Sequence, residues 1–567
     1  MADAPTSVDA AEQRRAAERE AVRRSAQERD AFVPRPVAAA DAAASAPAAL
    51  PAGESPCFPI HQLHWRGADP AAFPGLIEAL SGPGAVDAPV LPRCLGAQGV
   101  GLLLKRAQDA LIAAGFVTTR VLAEPQDLRS GELTLTLMPG RLRVTRFSEA
   151  SSPRATAWNA VPIRPGQVLN LRDIEQGLDN FKRLPTVDAA IRIAPAEQPG
   201  ESDLLIDWQQ GFPLRLAATL DDSGGRGTGK YQGELTLSAD HWLALNDLFY
   251  ASVSHDLGGG DADARGTRGL TLHHSLPLGH WLLSTTASAS RFAQNVAGAS
   301  QNYSYRGSSR QMELQLARTL QRDATSKTSA HVQAFVRASS NFIDDTEVEV
   351  QRRRVGGWAV GINHHVDQGH RTLDLAVDHK HGTGAFGALP APEQAFGEGT
   401  SRFALFTASA ALTQGFEHAG RSWTYSGQLR AQLNRTPLVP QDRFAIGGRY
   451  TVRGFDGEAT LSAERGWLLR NEWSTQLGSS AQQWFVGLDH GAVGGPSAGS
   501  LAGRHLTGAV TGVRGALGPV QFEVFAGAPL WKPAGMSSAG LSTGVRFSVA
   551  LGASPGGVAQ APAATAP

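Results

Sequence analysis

Apolar and polar positions change their period along this chain. From residue 211 to 551 they alternate in segments of about ten residues, separated by clusters of Gly, Asp, Asn and Ser. Residues 233–239, 248–254, 269–276, 428–433 and 520–526 are examples. In the last, Val520, Phe522, Val524 and Ala526 share one face. There are about 16 such segments. A period of two with short turns on one side and longer loops on the other predicts an even-numbered antiparallel barrel of the transmembrane kind. Trp242, Trp281, Trp358, Trp423, Trp467, Trp473, Trp484 and Trp531 fall near segment ends, as interface girdles do. A soluble β-propeller would carry a blade repeat of about 40–50 residues, and none is visible.

Ahead of residue 211 the period is mixed. Residues 57–139 read as a small α/β unit: a strand over 58–65, an amphipathic helix over 101–115 with Leu103, Ala107, Leu111 and Ala114 on one stripe, and strands over 117–122 and 131–138. Residues 140–210 repeat the theme. A strand over 142–147 leads to a helix N-capped by Asn170, with Leu171, Ile174, Leu178 and Phe181 at spacings of three and four; strands follow over 187–193 and 203–208. Two such units in series are a repeat of architecture. Residues 33–56 are an Ala/Pro-rich linker without the means to pack a core. Within residues 1–32, positions 9–30 have high helix propensity, Glu20 and Arg24 lie at helical spacing, and no apolar face exists. A helix polar all round is either solvated or sits in a polar cavity. Residues 552–567 read as a disordered tail. The fold class is therefore multi-domain: a transmembrane antiparallel β-barrel of about 16 strands, preceded by two α/β domains and an N-terminal helix.

Charge alters this picture little. Lys+Arg and Asp+Glu are equal at 52, so nothing points to nucleic acid. No run of about 18 apolar residues is present, which excludes a helical span and leaves a strand barrel open. Residues 1–30 lack the apolar core of a signal peptide, so either a signal has been removed and a Met added or the true start lies upstream. The two cysteines, Cys57 and Cys94, lie in one short segment. An even count there suits a disulfide in an oxidising compartment, with two buried thiols as the other reading. No second cysteine pair exists to complete a metal site.

Two segments in the barrel region carry the most specific signal. Residues 444–455 read FAIGGRYTVRGF and residues 484–491 read WFVGLDHG. With CFPI at 57–60, Cys94, GFVTTRVLAEPQDLRSGELTLTLMPGRL at 115–142 and LNLRDIEQGLDNFKRLPTVDA at 169–189, the chain resembles the two-partner secretion transporters (TpsB, the haemolysin secretion/activation family), relatives of the BamA barrel insertase. The resemblance runs from about residue 9 to 551. It implies that the two α/β units are periplasmic POTRA domains that receive an unfolded exoprotein, and that the N-terminal helix is a pore plug. It implies that Val452, Arg453, Gly454 and Phe455 form the tip of a sixth loop folded into the barrel, with Arg453 meeting Asp489 on the wall. An Arg in a confined lumen needs a carboxylate, and a bidentate pair fixes distance and angle. The other reading is that Arg453 holds barrel structure only.

The implied function is export, without ATP, of a large TpsA-type exoprotein (a β-helical haemagglutinin or haemolysin) through the outer membrane by a monomer embedded in lipid. No cofactor and no metal are expected, and no enzyme site stands out. The rival reading is an assembly factor that inserts other barrels; five POTRA units would favour that, whereas two with a plug favour export. Residues 224–230, GGRGTGK, match most of a phosphate-binding loop, but Tyr231 stands where a Ser or Thr must hold magnesium, and a strand follows where a helix is required. His273, His274, His364, His365, His379 and His381 read as scattered loop and strand residues rather than metal ligands.

Overall fold

The computed structural model describes residues 5–27, 50–51, 53–81, 91–261, 266–297 and 300–552. The two ends of the expected N-terminal segment (residues 1–4 and 28–32), most of the expected linker (residues 33–49 and 52) and the tail from 553 onward lie outside the described residues. The chain divides into two units, one holding the small α/β domains and the other the N-terminal helix and the barrel.

In the first small domain, strand Glu132–Met138 runs parallel to Gln62–Gly67 and antiparallel to Arg120–Leu122. Its alternation buries Leu133, Leu135 and Leu137 against Leu103, Ala107 and Leu111 of a helix, the pairing of period 2 with period 3.6 that closes an α/β core. The single strand expected over 58–65 is two strands. Phe58–Ile60 pairs with Arg93–Leu95, and Gln62–Gly67 joins the other sheet. The step falls at His61, whose amide donates to Gly131 O at 2.7 Å.

Helices are labelled α1 (Pro5–Gln27), α2 (Leu76–Ser81), α3 (Ala97–Ala113) and α4 (Leu171–Lys182). The short α2 was not visible in the sequence pattern. α3 starts four residues before the expected 101 because its cap comes from elsewhere in the chain. The Glu54 carboxylate accepts from the amides of Gly96 (2.7 Å), Gln98 (2.8 Å) and Gly99 (3.0 Å), satisfying first-turn donors and meeting the positive end of the helix dipole. Leu50 is buried in the same core. The end of the expected linker is thus part of the domain: the one Leu in an Ala/Pro stretch supplies the apolar contact, and Glu54 the polar one.

The second small domain is a three-stranded sheet in the order Arg141–Phe147, Glu201–Gln210, Val187–Pro195. α4 and the sheet bury Ile174, Phe181, Leu204, Ile206 and Trp208. Asn170 does two things. Its Oδ1 accepts from Arg172 N at 2.8 Å, capping α4, and its Nδ2 donates to Ala114 O at 3.2 Å, closing the end of α3.

Sixteen strands, among the described residues, close the barrel. They are β1 (Leu214–Asp221), β2 (Gln232–Asp240), β3 (Leu248–Asp256), β4 (Gly266–Leu278), β5 (Trp281–Ala297), β6 (Asn302–Arg322), β7 (Ser326–Ile343), β8 (Arg353–Asp367), β9 (Arg371–Thr383), β10 (Ala404–His418), β11 (Arg421–Asn434), β12 (Arg465–Gln476), β13 (Gln483–Gly494), β14 (His505–Leu517), β15 (Val520–Trp531) and β16 (Ser542–Leu551). Neighbours pair antiparallel, and β16 returns to β1 from Arg546↔Asp221 to Leu551↔Leu216. Residues 224–230 lie in the β1–β2 loop, with strand β2 following. One end carries tight hairpins. Ala419–Gly420 between β10 and β11 has both φ positive (51° and 70°), the twist a two-residue hairpin requires. The other end carries the long connections, of which the sixth, residues 435–464 between β11 and β12, is the longest.

Leu235, Leu237, Val253, Leu270, Leu272, Met312, Leu314, Val360, Ile362 and Val524 are exposed on the outer face, an apolar surface of a size only lipid accommodates. No helix among the described residues is long and apolar enough to cross a membrane. The inner face is polar, and α1 lies against it. Arg23 forks onto Glu234 of β2, with Nε to Oε1 at 2.8 Å, and Tyr250 of β3 donates its hydroxyl to Glu20 at 2.9 Å. Gln27 Oε1 accepts from Arg215 of β1 at 3.1 Å. A helix with no apolar face is stable there because its surroundings offer partners on several sides.

Candidate functional site: the seat of the sixth loop

The sixth loop enters the barrel as a short ladder, Phe444–Ile446 against Leu461–Ala463. Between these strands the chain turns at residues 452–455. Val452 and Phe455 are buried with Ile446, Leu461, Leu468 and Leu506 in an apolar cluster under the loop. That cluster fixes the loop's depth; the polar contacts fix its position.

Arg453 is the centre of those contacts. Its Nε donates to Asp489 Oδ2 at 2.7 Å and its Nη2 to Oδ1 at 2.9 Å, a fork against one carboxylate of β13. Its backbone amide also donates to Oδ2, at 3.0 Å. Nη1 bonds Glu472 of β12, whose other oxygen accepts from Arg514 of β14 at 2.7 Å. Arg470 stands 3.8 Å from Asp489. Asp489 is wholly covered, so two carboxylates and the guanidinium groups around them compensate one another out of bulk water.

The wall is shaped to admit this loop. A Cβ on Gly508 of β14 would stand 1.9 Å from Arg453 O, and one on Gly487 of β13 2.5 Å from Arg453 Nη2. On Gly527 of β15 it would stand 2.9 Å from Gly454 Cα. Gly454 has φ +97° and would itself meet Ala528 O at 2.6 Å, so both its backbone angle and the close approach demand glycine. Along β13, Phe485, Gly487, Asp489, Gly491 and Val493 share the inner face: an anion between two vacant side-chain positions.

Val452, Arg453, Gly454, Phe455 and Asp489 therefore come together at one place. Sequence reasoning missed Glu472, Arg514 and the glycine seat. The G-x-D-x-G spacing at 487–491 was a usable signal, since period two puts all three residues on one face. It also missed a second tie. Arg449 Nη1 donates to Asp222 Oδ1 at 2.8 Å, just beyond the end of β1. α1 touches the same loop: Arg15 Nη2 donates to Gly457 O at 2.8 Å, and Gln441 Nε2 to Asp9 Oδ2 at 3.0 Å.

In the small domains, Cys57 and Cys94 are bridged, with Cα atoms 5.4 Å apart. Asp203 is covered and accepts from Arg143 at 2.8 and 2.7 Å and from Arg146 at 2.6 Å. The Arg143 hydrogen bonds, then the two positive charges, hold its carboxyl below the usual carboxylate range.

The chain matches the family model described as haemolysin secretion/activation protein ShlB/FhaC/HecB over residues 200–515. It matches a POTRA domain of ShlB type over 84–140 and a POTRA domain over 141–195. It is 35% identical to the outer membrane transporter CdiB-2 of Burkholderia pseudomallei (strain 1026b), covering 93% of this chain and 92% of that protein. It is 25% identical to the hemolysin transporter protein ShlB of Serratia marcescens, covering 77% and 76%. Among solved structures it superposes on CdiB from Acinetobacter baumannii with a TM-score of 0.84 and 28% identity, over 97% of this chain and 100% of that one.

Proposed function

The chain belongs to the haemolysin secretion/activation (ShlB/FhaC/HecB) family of two-partner secretion transporters in the outer membrane, its POTRA domains in the periplasm, and from that premise we propose that it exports one large exoprotein. The partner reaches the periplasm unfolded, and its N-terminal region docks on the POTRA domains by adding a strand to an open sheet edge. Strand Val187–Pro195 is a candidate edge, because among the described residues it pairs only with Glu201–Gln210. The plug helix α1 then leaves the lumen; the loop-six tip shifts on its Arg453–Asp489 hold; and the partner threads outward. No ATP is available outside the inner membrane, so direction comes from folding of a β-helical product at the surface. The transporter works as a monomer, and the Cys57–Cys94 bridge secures the first POTRA domain.

The observation that carries this reading is that α1 occupies the lumen and is held to the wall and to loop six through polar contacts. Polar contacts exchange for water at modest net cost, unlike an apolar core. The test compares culture supernatant and cell surface by mass spectrometry with and without the gene. Loss of one large protein, with other outer-membrane barrels at normal levels, is the expected result. A joint fall of many barrels would make the protein an assembly factor instead.

A further inference from the structure

Three arginines interrupt the apolar outer face of the barrel at one height. Arg268 of β4 and Arg291 of β5 are direct partners in the ladder, so they share a face. Arg291 pairs with Ser308 of β6, and Arg310 lies two residues along that strand, diagonal to Arg291 on the same face. That face is the outer one, because Leu270 and Leu272 follow Arg268 at the strand's period of two and are 44% and 41% exposed, and Met312 and Leu314 follow Arg310. All three arginines are exposed.

Their height matches a membrane boundary. Trp281 sits at the tight-hairpin end of β5, with the Arg318 guanidinium 5.1 Å over its ring. From Trp281 to Arg291 the strand climbs ten residues. At about 3.3 Å per residue and a tilt of about 40°, that is roughly 25 Å, one lipid-facing band. Arg291 and its neighbours therefore lie at the outer-leaflet edge.

Like charges directly opposite in a ladder destabilise it. Among the described residues none of these three side chains has an ion-pair or hydrogen-bond partner, whereas the nearby Arg306 reaches Asp345 at 2.8 Å. Among the described residues nothing balances the cluster, which leaves it open to an anionic partner from outside. Beside it, on the outer face of β1–β3 and β16, runs a groove of about 790 Å³ lined by Leu220, Leu235, Val253, Phe547 and Val549, with Arg268 at its rim. An apolar groove with the Arg268 guanidinium in its lining and Arg291 beside it in the ladder suits an amphiphile with an anionic, oxygen-rich head, and forked guanidinium contacts favour phosphate.

We propose that this face is a seat for lipopolysaccharide: the phosphates of its lipid A lie among Arg268, Arg291 and Arg310, and acyl chains occupy the groove. The test uses full-length protein in detergent, titrated with bisphosphorylated lipid A and read by native mass spectrometry. Wild type and Arg318→Gln, which changes an outer-face arginine at the opposite boundary, should bind alike. The triple variant R268Q/R291Q/R310Q should bind at least about tenfold more weakly, and each single variant several-fold more weakly. Heat-modifiable migration on gels reports folding, and the single variants carry the test if the triple one does not fold. Inorganic phosphate at millimolar concentration should not displace the lipid. Equal binding by wild type and the arginine variants, an equal loss in Arg318→Gln, or displacement by inorganic phosphate would overturn the assignment.

Discussion

Asp222 and Val545 are joined across the seam of the barrel by a side chain, and loop six grips the same point. The Val545 amide donates to Asp222 Oδ1 at 2.8 Å, and Arg449 of loop six donates to that oxygen at 2.8 Å and to Val545 O at 3.3 Å. The ladder between β16 and β1 reaches only Arg546↔Asp221, so Asp222 extends the seam beyond it.

Arg449→Ala should therefore loosen this corner. Removing one partner leaves Asp222 buried without its guanidinium, a loss of about 3 kcal/mol. Hydrogen exchange at the Val545 amide in vesicle-embedded protein should speed up, with partial recovery in Arg449→Lys. Unchanged exchange would mean that Asp222 holds Val545 without help from the loop.

Arg453→Ala leaves Asp489 and Glu472 facing each other without their shared cation. Secretion should fall at least about tenfold while barrel abundance stays within about twofold, the signature of a transport role rather than a folding one. Arg453→Lys should fall between, because an ammonium cannot fork onto one carboxylate while reaching a second. Immunoblots of supernatant and membrane fractions decide it, and normal export by the Ala variant would leave Arg453 a structural residue.

Gly508→Ala attacks the same contact from the wall. Its Cβ would lie 1.9 Å from Arg453 O, a backbone atom that cannot rotate aside. Loop six should be displaced, and trypsin should cut within residues 435–464 on intact cells. Combined with Arg453→Ala, the secretion defect should be no deeper than either alone, since both act on one seat. Additive losses would separate the two.

The sequence made the barrel legible because lipid and lumen impose opposite demands on alternate residues, which leaves a period of two in segments such as Val520 to Ala526. It made the Arg453–Asp489 pair legible only through the family resemblance, since nothing local links positions so far apart. What stayed hidden was held by remote partners. Glu54 caps α3, Leu50 enters a core from an Ala/Pro stretch, and Arg449 reaches Asp222; each looks unremarkable among its neighbours. The glycine seat was hidden for another reason: Gly487, Gly508 and Gly527 look like ordinary strand glycines until the loop fills the space they leave.

Asp203 should make the second POTRA domain sensitive to acid. Arg143 and Arg146 depress its folded pKa. Its contribution is complete above the unfolded value of about 3.9 and drains away as pH falls from there through the lower folded value. Asp203→Asn should remove that dependence. Hydrogen exchange across Glu201–Gln210 should then respond less to acid than in wild type, at the cost of faster exchange at neutral pH. An identical acid response in both proteins would assign the sensitivity to another group.

The Cys57–Cys94 bridge and the Glu54 cap hold the same stretch of chain against α3 from two points. The bridge closes a loop over a separation of 37 residues, for which the chain-entropy model gives about 3–4 kcal/mol. Loss of a capping side chain costs about 1 kcal/mol. Cys94→Ser should therefore speed exchange at the Leu103 and Leu111 amides far more than Glu54→Ala does. The double variant should lose less than the sum, because a segment freed at its disulfide no longer positions Glu54 at the helix start. Full additivity would show that the cap forms without the bridge, and that Leu50 and its neighbours alone keep the segment in place.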